Sequence, residues 1–384
     1  MNVPAGRRHI AELDGVRGAA IFAVLAIHFG GRVPAVGPLS GLVQALCDVG
    51  WVGVDLFFCV SGFLITGILL DTRGRDGFYK NFYARRALRI FPLYFGVLAA
   101  VFVVLPAVAP SAAEDGIASG WLWTYFANVP LAYTGPASFR GETLNFAHFW
   151  SLAIEEQFYL VWPLAVATLG PAGLKRLCVV TLLVATPARF ASLAAIGTYA
   201  PYYLTWCKLD ALVAGAWLAV ALRGPAPDVV LKRAGRLGAV CFASLAAWFV
   251  VSGNLFCFDP VVSTVAPPLV AGACVGVVAT AVAPSPFVSR VLTWRPLAEL
   301  GRVSYGVYVF HGLLQIVFLR TLGDIAVTAG NYWTTWLVFM AFTVGVSYLL
   351  ARASFVIESR FLRLKRHFVF DGPPRLGQAA TTAG

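Results

Sequence analysis

Apolar residues along this chain come in long blocks. About ten of them approach the roughly 20 residues that a helix needs to cross a hydrocarbon core about 30 Å thick. They fall near 15–30, 50–70, 88–109, 147–169, 177–197, 202–222, 237–253, 260–283, 297–319 and 332–351. No polar segment between them is long enough to fold alone, so residues 1–370 read as one all-α, polytopic membrane domain. The longest connection, near 110–147, carries Trp121, Trp123 and Tyr125, whose amphipathic rings predict a helix lying at headgroup level. Past Phe370 the segment 371–384 loses apolar periodicity and is expected to be a disordered cytoplasmic tail. No internal repeat of the kind that builds duplicated transporters is visible.

Composition fixes the solvent. A hydrophobic fraction of 59%, a charged fraction of 12% and a mean hydropathy of +0.78 lie outside the range of soluble domains, so lipid surrounds most of the chain. Charge then gives orientation, because cytoplasmic loops collect Lys and Arg. With the N-terminus inside, only Arg32, Arg140, Lys208 and Arg320 of the 29 basic residues fall on outer loops, and Arg17 and Arg189 fall within spans. Both termini are therefore expected in the cytoplasm of a cell with an inner or plasma membrane. The net charge of +11 reads as topology, with no nucleic-acid partner implied. The first apolar block follows Arg7 and Arg8 as a signal peptide would, but Arg17 interrupts it and no small-x-small cleavage site follows, so it is expected to stay as the first helix. Seven cysteines include no C-x-x-C pair, which suggests neither a disulfide framework nor a metal site; a Cys47–Cys257 bridge is left open.

Ionisable groups inside a span cost about 2.5–3.5 kcal/mol at a helix centre, so each needs a reason. In the first span Arg17 and His28 are eleven residues apart, which at about 100° per residue puts them on one face, roughly 16 Å apart. Arg17 reads as a rim residue and His28 as a deep one; the alternative is a snorkelling arginine and a hydrogen-bonded core histidine. The second span holds Asp55 and Ser61 among Gly50, Gly53, Gly62 and Gly67. Close helix packing accounts for the glycines, whereas Asp55 must pair with a cation, hold a proton or orient a histidine. Arg85, Arg86 and Arg89 open the third span, with Arg86 and Arg89 one turn apart in the spacing of a phosphate clamp or of ordinary inside-positive residues. The fourth carries His148, Ser151 and the adjacent Glu155 and Glu156 to membrane depth, and the ninth adds Ser304, Tyr305 and His311. Arg189 and Asp210 are placed to form a mutual ion pair.

The segments LDGVRGAAIFAVLAIH (13–28), GVDLFFCVSGFLIT (53–66), RRALRIFPLY (85–94), FWSLAIEEQFYLVWP (149–163) and GRVSYGVYVFH (301–311) together resemble acyltransferase family 3. These membrane proteins O-acylate polysaccharides, lipopolysaccharide, peptidoglycan or antibiotic sugars. The family's basic residue, ten intervening residues and histidine fall on Arg17 and His28, its Arg-x-x-Arg on Arg86 and Arg89, and its Trp-Ser-Leu-x-x-Glu on Trp150 to Glu155. Cys59 stands where an aliphatic residue is expected, and no C-terminal SGNH-type domain of the sort that some relatives carry is recognisable.

The resemblance implies an acyl-CoA dependent O-acyltransferase of the bilayer, with acetyl-CoA or another acyl-CoA as donor substrate, no permanently bound cofactor, no metal and a hydroxyl-bearing glycan or glycoside as acceptor. Arg86 and Arg89, with Arg85 and Ser151, would hold the donor, with Arg17 helping. His28 would act as general base, a role suited to a group that titrates near neutrality, with Asp14, Asp55 or Glu155 fixing its tautomer. Glu156, Tyr305 and His311 would line the substrate cavity. A transient acyl-histidine is a second route. The rival from another class is a secondary transporter or flippase that uses the same buried charges as a pathway.

Overall fold

The computed structural model describes residues 9–109, 118–329 and 331–370. The segment 371–384 expected as a disordered tail lies outside them. The described chain is helical, apart from one isolated bridge between Arg140 and Asn145. Thirteen helices carry the architecture and are labelled here in chain order: α1 Ala11–His28, α2 Pro38–Asp48, α3 Val52–Thr72, α4 Phe78–Ala99, α5 Trp150–Thr168, α6 Pro171–Ala195, α7 Asp210–Ala221, α8 Pro227–Ser252, α9 Pro260–Val282, α10 Arg295–Arg302, α11 Ser304–Leu313, α12 Gln315–Ala329 and α13 Tyr332–Arg363.

Each apolar block read from the sequence carries helix, but not every one is long and apolar enough by itself to cross a membrane. Among the described residues seven helices are long and apolar enough to cross a membrane, or eight if α11 and the following Gln315–Leu322, bent by 64°, form one broken span. Two expected spans fall short for different reasons. Polar Glu155, Glu156 and Gln157 interrupt α5. The 202–222 block splits into single turns at Ala200–Tyr203 and Thr205–Lys208 before the 12-residue α7. Every residue of α7 except Trp217 is buried, as befits a helix that is apolar on all sides and enclosed by protein.

The enclosure depends on small residues. A Cβ on Gly62 of α3 would strike the Leu212 carbonyl, and one on Gly215 of α7 would strike the Cys59 carbonyl, so the two backbones meet where side chains would hold them apart. Arg189 on α6 and Asp210 on α7 form the ion pair anticipated for them, fully enclosed. The guanidinium also donates to the Thr264 carbonyl at 3.0 Å, the Cys207 carbonyl at 2.8 Å and Thr186 Oγ1 at 2.7 Å, satisfying a charge that would otherwise be costly at this depth.

Two minor expectations change. The Trp121–Tyr125 cluster forms only the short helix Ser119–Trp123; its tryptophans are exposed, but Tyr125 turns inward and stacks on Tyr94 with ring centroids 4.2 Å apart. Cys47 and Cys257 are both free. Burial pushes the Cys257 thiol up to about 12, which keeps it protonated and unreactive.

Candidate functional site

Two cavities lie along α1. The first, of about 120 Å³, is walled by α1, α3, α4, α5 and α11, and gathers Arg17, Arg86, Arg89, Ser151, Glu155, Glu156, Tyr159 and Tyr305. Arg86 sits over the Tyr159 ring, 5.4 Å from its centroid, and the Tyr159 hydroxyl bonds Ser61. Glu155 faces the same two hydroxyls. Ser151 Oγ lies 2.6 Å from the Tyr308 hydroxyl, and Tyr305 donates to the Ile90 carbonyl at 2.8 Å. Arg17 and Arg89 make no hydrogen bond or ion pair within the described residues, while Glu156 Oε1 and Ser304 Oγ are buried without partners. Unpaired guanidiniums beside unsatisfied buried acceptors are the signature of a site built for something polar.

The second cavity is larger, about 480 Å³, and its wall is aromatic: Trp51, Trp150, Tyr199, Tyr202, Tyr203, Phe256 and Phe258, with His28, His148, Arg32 and Arg140 among them. Val54 and Tyr308 line both cavities, so the two stand back to back with Arg17 on one side and His28 on the other. The spacing of these two residues on α1 thus spans the partition. Lys208 lies beneath the aromatic wall, bonding Asp55 at 2.9 Å and sitting 4.9 Å from the Trp51 ring centroid and 4.5 Å from that of Tyr202.

His28 belongs to a cluster. Its Nδ1 lies 2.8 Å from the Val24 carbonyl, one turn back on α1. A carbonyl can only accept, so Nδ1 carries the hydrogen and Nε2 is the bare nitrogen. The same argument gives Nδ1–H on His311, 3.2 Å from the Val307 carbonyl, and Nε2–H on His148, 3.1 Å from the Val309 carbonyl. His311 Nε2 and His148 Nδ1 are buried and unpartnered. The His311 ring meets His28 with centroids 4.9 Å apart and His148 at 5.2 Å, both in T-shaped contact. Gly312 makes room for this, because a Cβ there would strike the His148 ring.

The residues singled out in the sequence therefore divide. Arg17, Arg86, Arg89, Ser151, Glu155, Glu156 and Tyr305 share the first cavity, and His28 lines the second. His311 lines neither and stands behind His28. Arg85 points away, donating to the Lys365 and Phe368 carbonyls at 3.2 and 3.1 Å, which ties α4 to the end of the described chain. None of the three carboxylates expected to orient His28 bonds it in this structure. Asp55 is paired with Lys208, Asp14 lies 3.0 Å from His9 and 3.6 Å from Arg302, and Glu155 faces Tyr159 and Ser61. The Val24 carbonyl takes that position instead. Sequence reasoning missed Lys208, set aside as an outer-loop cation; its place in TWCKLD, two residues before Asp210 in an apolar run, was the available signal.

A profile of the acyltransferase domain matches residues 10–352. The chain belongs to acyltransferase family 3. Among its relatives in that family, the peptidoglycan O-acetyltransferase OatA of Listeria monocytogenes is 29% identical over 380 residues, covering 91% of this chain and 55% of the relative. The O-acetyltransferase OatA of Staphylococcus aureus is 28% identical over 335 residues, covering 82% and 52%. The chain thus spans about half the length of the curated relatives it matches. No solved structure matches it. The stretches that carry the family resemblance supply the lining of the first cavity, but of the second only Val24, Ile27, His28, Val54, Trp150 and Tyr308; its other aromatic residues, and Arg32 and Arg140, lie outside those stretches.

Proposed function

We propose that this chain is a multi-pass enzyme of the plasma membrane, with about ten spans and both termini in the cytoplasm. It transfers an acetyl group from acetyl-CoA, or another acyl group from its CoA thioester, to a hydroxyl of a glycan or glycoside. In this reading α5, α7 and the bent α11–α12 pair complete the spans that length and hydropathy alone leave short. The observation that carries the reading is the pair of back-to-back cavities, one rich in arginine and one walled by aromatic rings, that meet at Val54 and Tyr308 beside His28. The O-acetyltransferase names of the relatives support an acetyl donor and a glycan acceptor.

The arginine cavity opens to the cytoplasm and takes the donor. Arg86 and Arg89 hold its phosphates, since guanidinium groups meet phosphate oxygens in paired, charge-assisted hydrogen bonds. Arg17, further along α1, guides the pantetheine arm towards the partition. The acceptor enters the aromatic cavity from outside. His28 Nε2, bare because Nδ1 is committed to Val24, takes the proton of the acceptor hydroxyl. That oxygen attacks the thioester carbonyl carbon, the carbon–sulfur bond breaks, and the departing sulfur takes the proton back from His28. Ester and free thiol result, with no net change at the histidine. Attack by Nε2 itself would pass through an acyl-imidazole on the same atom.

The test is purified protein supplied with labelled acetyl-CoA and envelope glycans. His28→Ala is expected to bind acetyl-CoA as wild type does and to lose about 10²- to 10⁴-fold in transfer. Near-normal transfer by the folded variant would remove His28 from the reaction. Intact acetyl-CoA and unmodified glycan with wild type would favour a transporter instead.

A further inference from the structure

We infer that the acceptor is an anionic glycan, whose carboxylate or phosphate is gripped by Arg32 and Arg140 while its sugar ring lies against the aromatic wall. The inference rests on the proposed acyl transfer and on the outward orientation of the second cavity. It names the kind of glycan that cavity takes.

The argument is one of elimination. The outer face of a membrane protein is depleted of Lys and Arg, so those that remain need explaining. Four are expected there: Arg32, Arg140, Lys208 and Arg320. Lys208 is 2% exposed and engaged by Asp55. Arg320 donates to the Glu142 carbonyl at 2.9 Å and does not line the cavity. Arg32 and Arg140 both line it, both are exposed, and neither forms an ion pair among the described residues. Against them the described lining offers a single carboxylate, Asp48. The mouth of the cavity therefore carries excess positive charge, framed by rings and by the amide side chains of Asn145 and Gln315.

That combination selects a ligand class. Aromatic rings give broad apolar faces with polar edges, which suit a pyranose, and the few polar groups set its orientation. A neutral sugar would offer the two guanidiniums only uncharged hydroxyl acceptors, whereas a carboxylate or phosphate would balance their charge in fork-to-oxygen pairs. Long-range attraction would also concentrate an anionic polymer at the mouth, an effect that salt screens.

The experiment uses the full-length protein, labelled acetyl-CoA, and envelope glycans from a host strain lacking the gene, separated by anion exchange into retained and unretained fractions. Label is expected in the retained fraction. Arg32→Gln and Arg140→Gln should each raise the KM for that fraction about tenfold at low salt, less at high salt, with the acetyl-CoA KM unchanged. Arg320→Gln, outside the cavity, is the control, and equal melting temperatures exclude misfolding. Reducing carboxyl groups or removing phosphate from the retained fraction beforehand identifies the anion by which treatment abolishes labelling. Label in the unretained fraction, labelling that survives both treatments, or an unchanged acceptor KM in the arginine variants would overturn the inference. No label anywhere with acetyl-CoA intact would instead remove the acyl-transfer reading, and this inference with it.

Discussion

Replacing Lys208 by methionine removes a charge from a place where charge is hard to keep. The Lys208 and Asp55 side chains are 2% and 4% exposed and 2.9 Å apart. At that distance their attraction is about 6 kcal/mol for an effective dielectric constant of about 20, and desolvation of both ions offsets most of it. Methionine keeps the length and apolar stem but leaves Asp55 buried and alone. The expected loss is about 3–5 kcal/mol, and Asp55→Asn should cost a similar amount by stranding the lysine. The double variant Asp55→Asn with Lys208→Met should recover most of the stability, because neither charge remains. Thermal unfolding in detergent, followed by tryptophan fluorescence, measures all four corners of the cycle. Acetyl transfer by the double variant then separates two roles for Asp55. Stable and active protein makes the pair structural, whereas stable and inactive protein returns Asp55 to the chemistry. Single variants as stable as wild type, or a double variant no better than the sum of the singles, would refute the reasoning.

Arg86→Ala and Arg89→Ala should raise the KM for acyl-CoA far more than that for the acceptor, since phosphate contacts are alike in ground and transition states; steady-state kinetics with a short acyl-pantetheine donor should show no such penalty. His311→Asn keeps a donor for the Val307 carbonyl but removes the bare ring nitrogen beside His28, so kcat should fall while acyl-CoA binding, measured by calorimetry, holds. For topology, all seven native cysteines are buried, so a single cysteine at exposed Lys80 should react with an impermeant thiol reagent only after the membrane is opened, and one at Arg140 without opening it.

The candidate site was most legible where a charge within an apolar run makes a residue conspicuous. Arg17, His28, Glu155 and Glu156 each break an apolar run, and only a polar interior accommodates them. The helical period then put Arg17 and His28 on one face, and the structure adds that they look into different cavities. What stayed hidden was long-range pairing. The partner of Asp55 is 153 residues away, and although Lys208 stands in an apolar run two residues before Asp210, nothing local ties it to Asp55. The group that orients His28 was hidden for another reason: it is a backbone carbonyl, which every residue possesses. Length and hydropathy alone do not fix the number of spans, because an apolar helix such as α7 reads alike whether lipid or neighbouring helices cover it.

The partition at Val54 and Tyr308 bears on a matter apart from acyl transfer, namely electrical insulation. A protein with one polar cavity on each side of a membrane is a short circuit unless something closes the path between them. Between the two cavities stand the side chains they share: Val54, which is hydrocarbon, and Tyr308, whose hydroxyl is held by Ser151 at 2.6 Å and by the His148 carbonyl at 3.0 Å. If the cavities open on opposite sides as proposed, holding that ring in place would keep them separate and deny protons and ions a path through the bilayer. Under the proposed acyl transfer, the acyl group would pass at this layer without an open path for ions across the membrane.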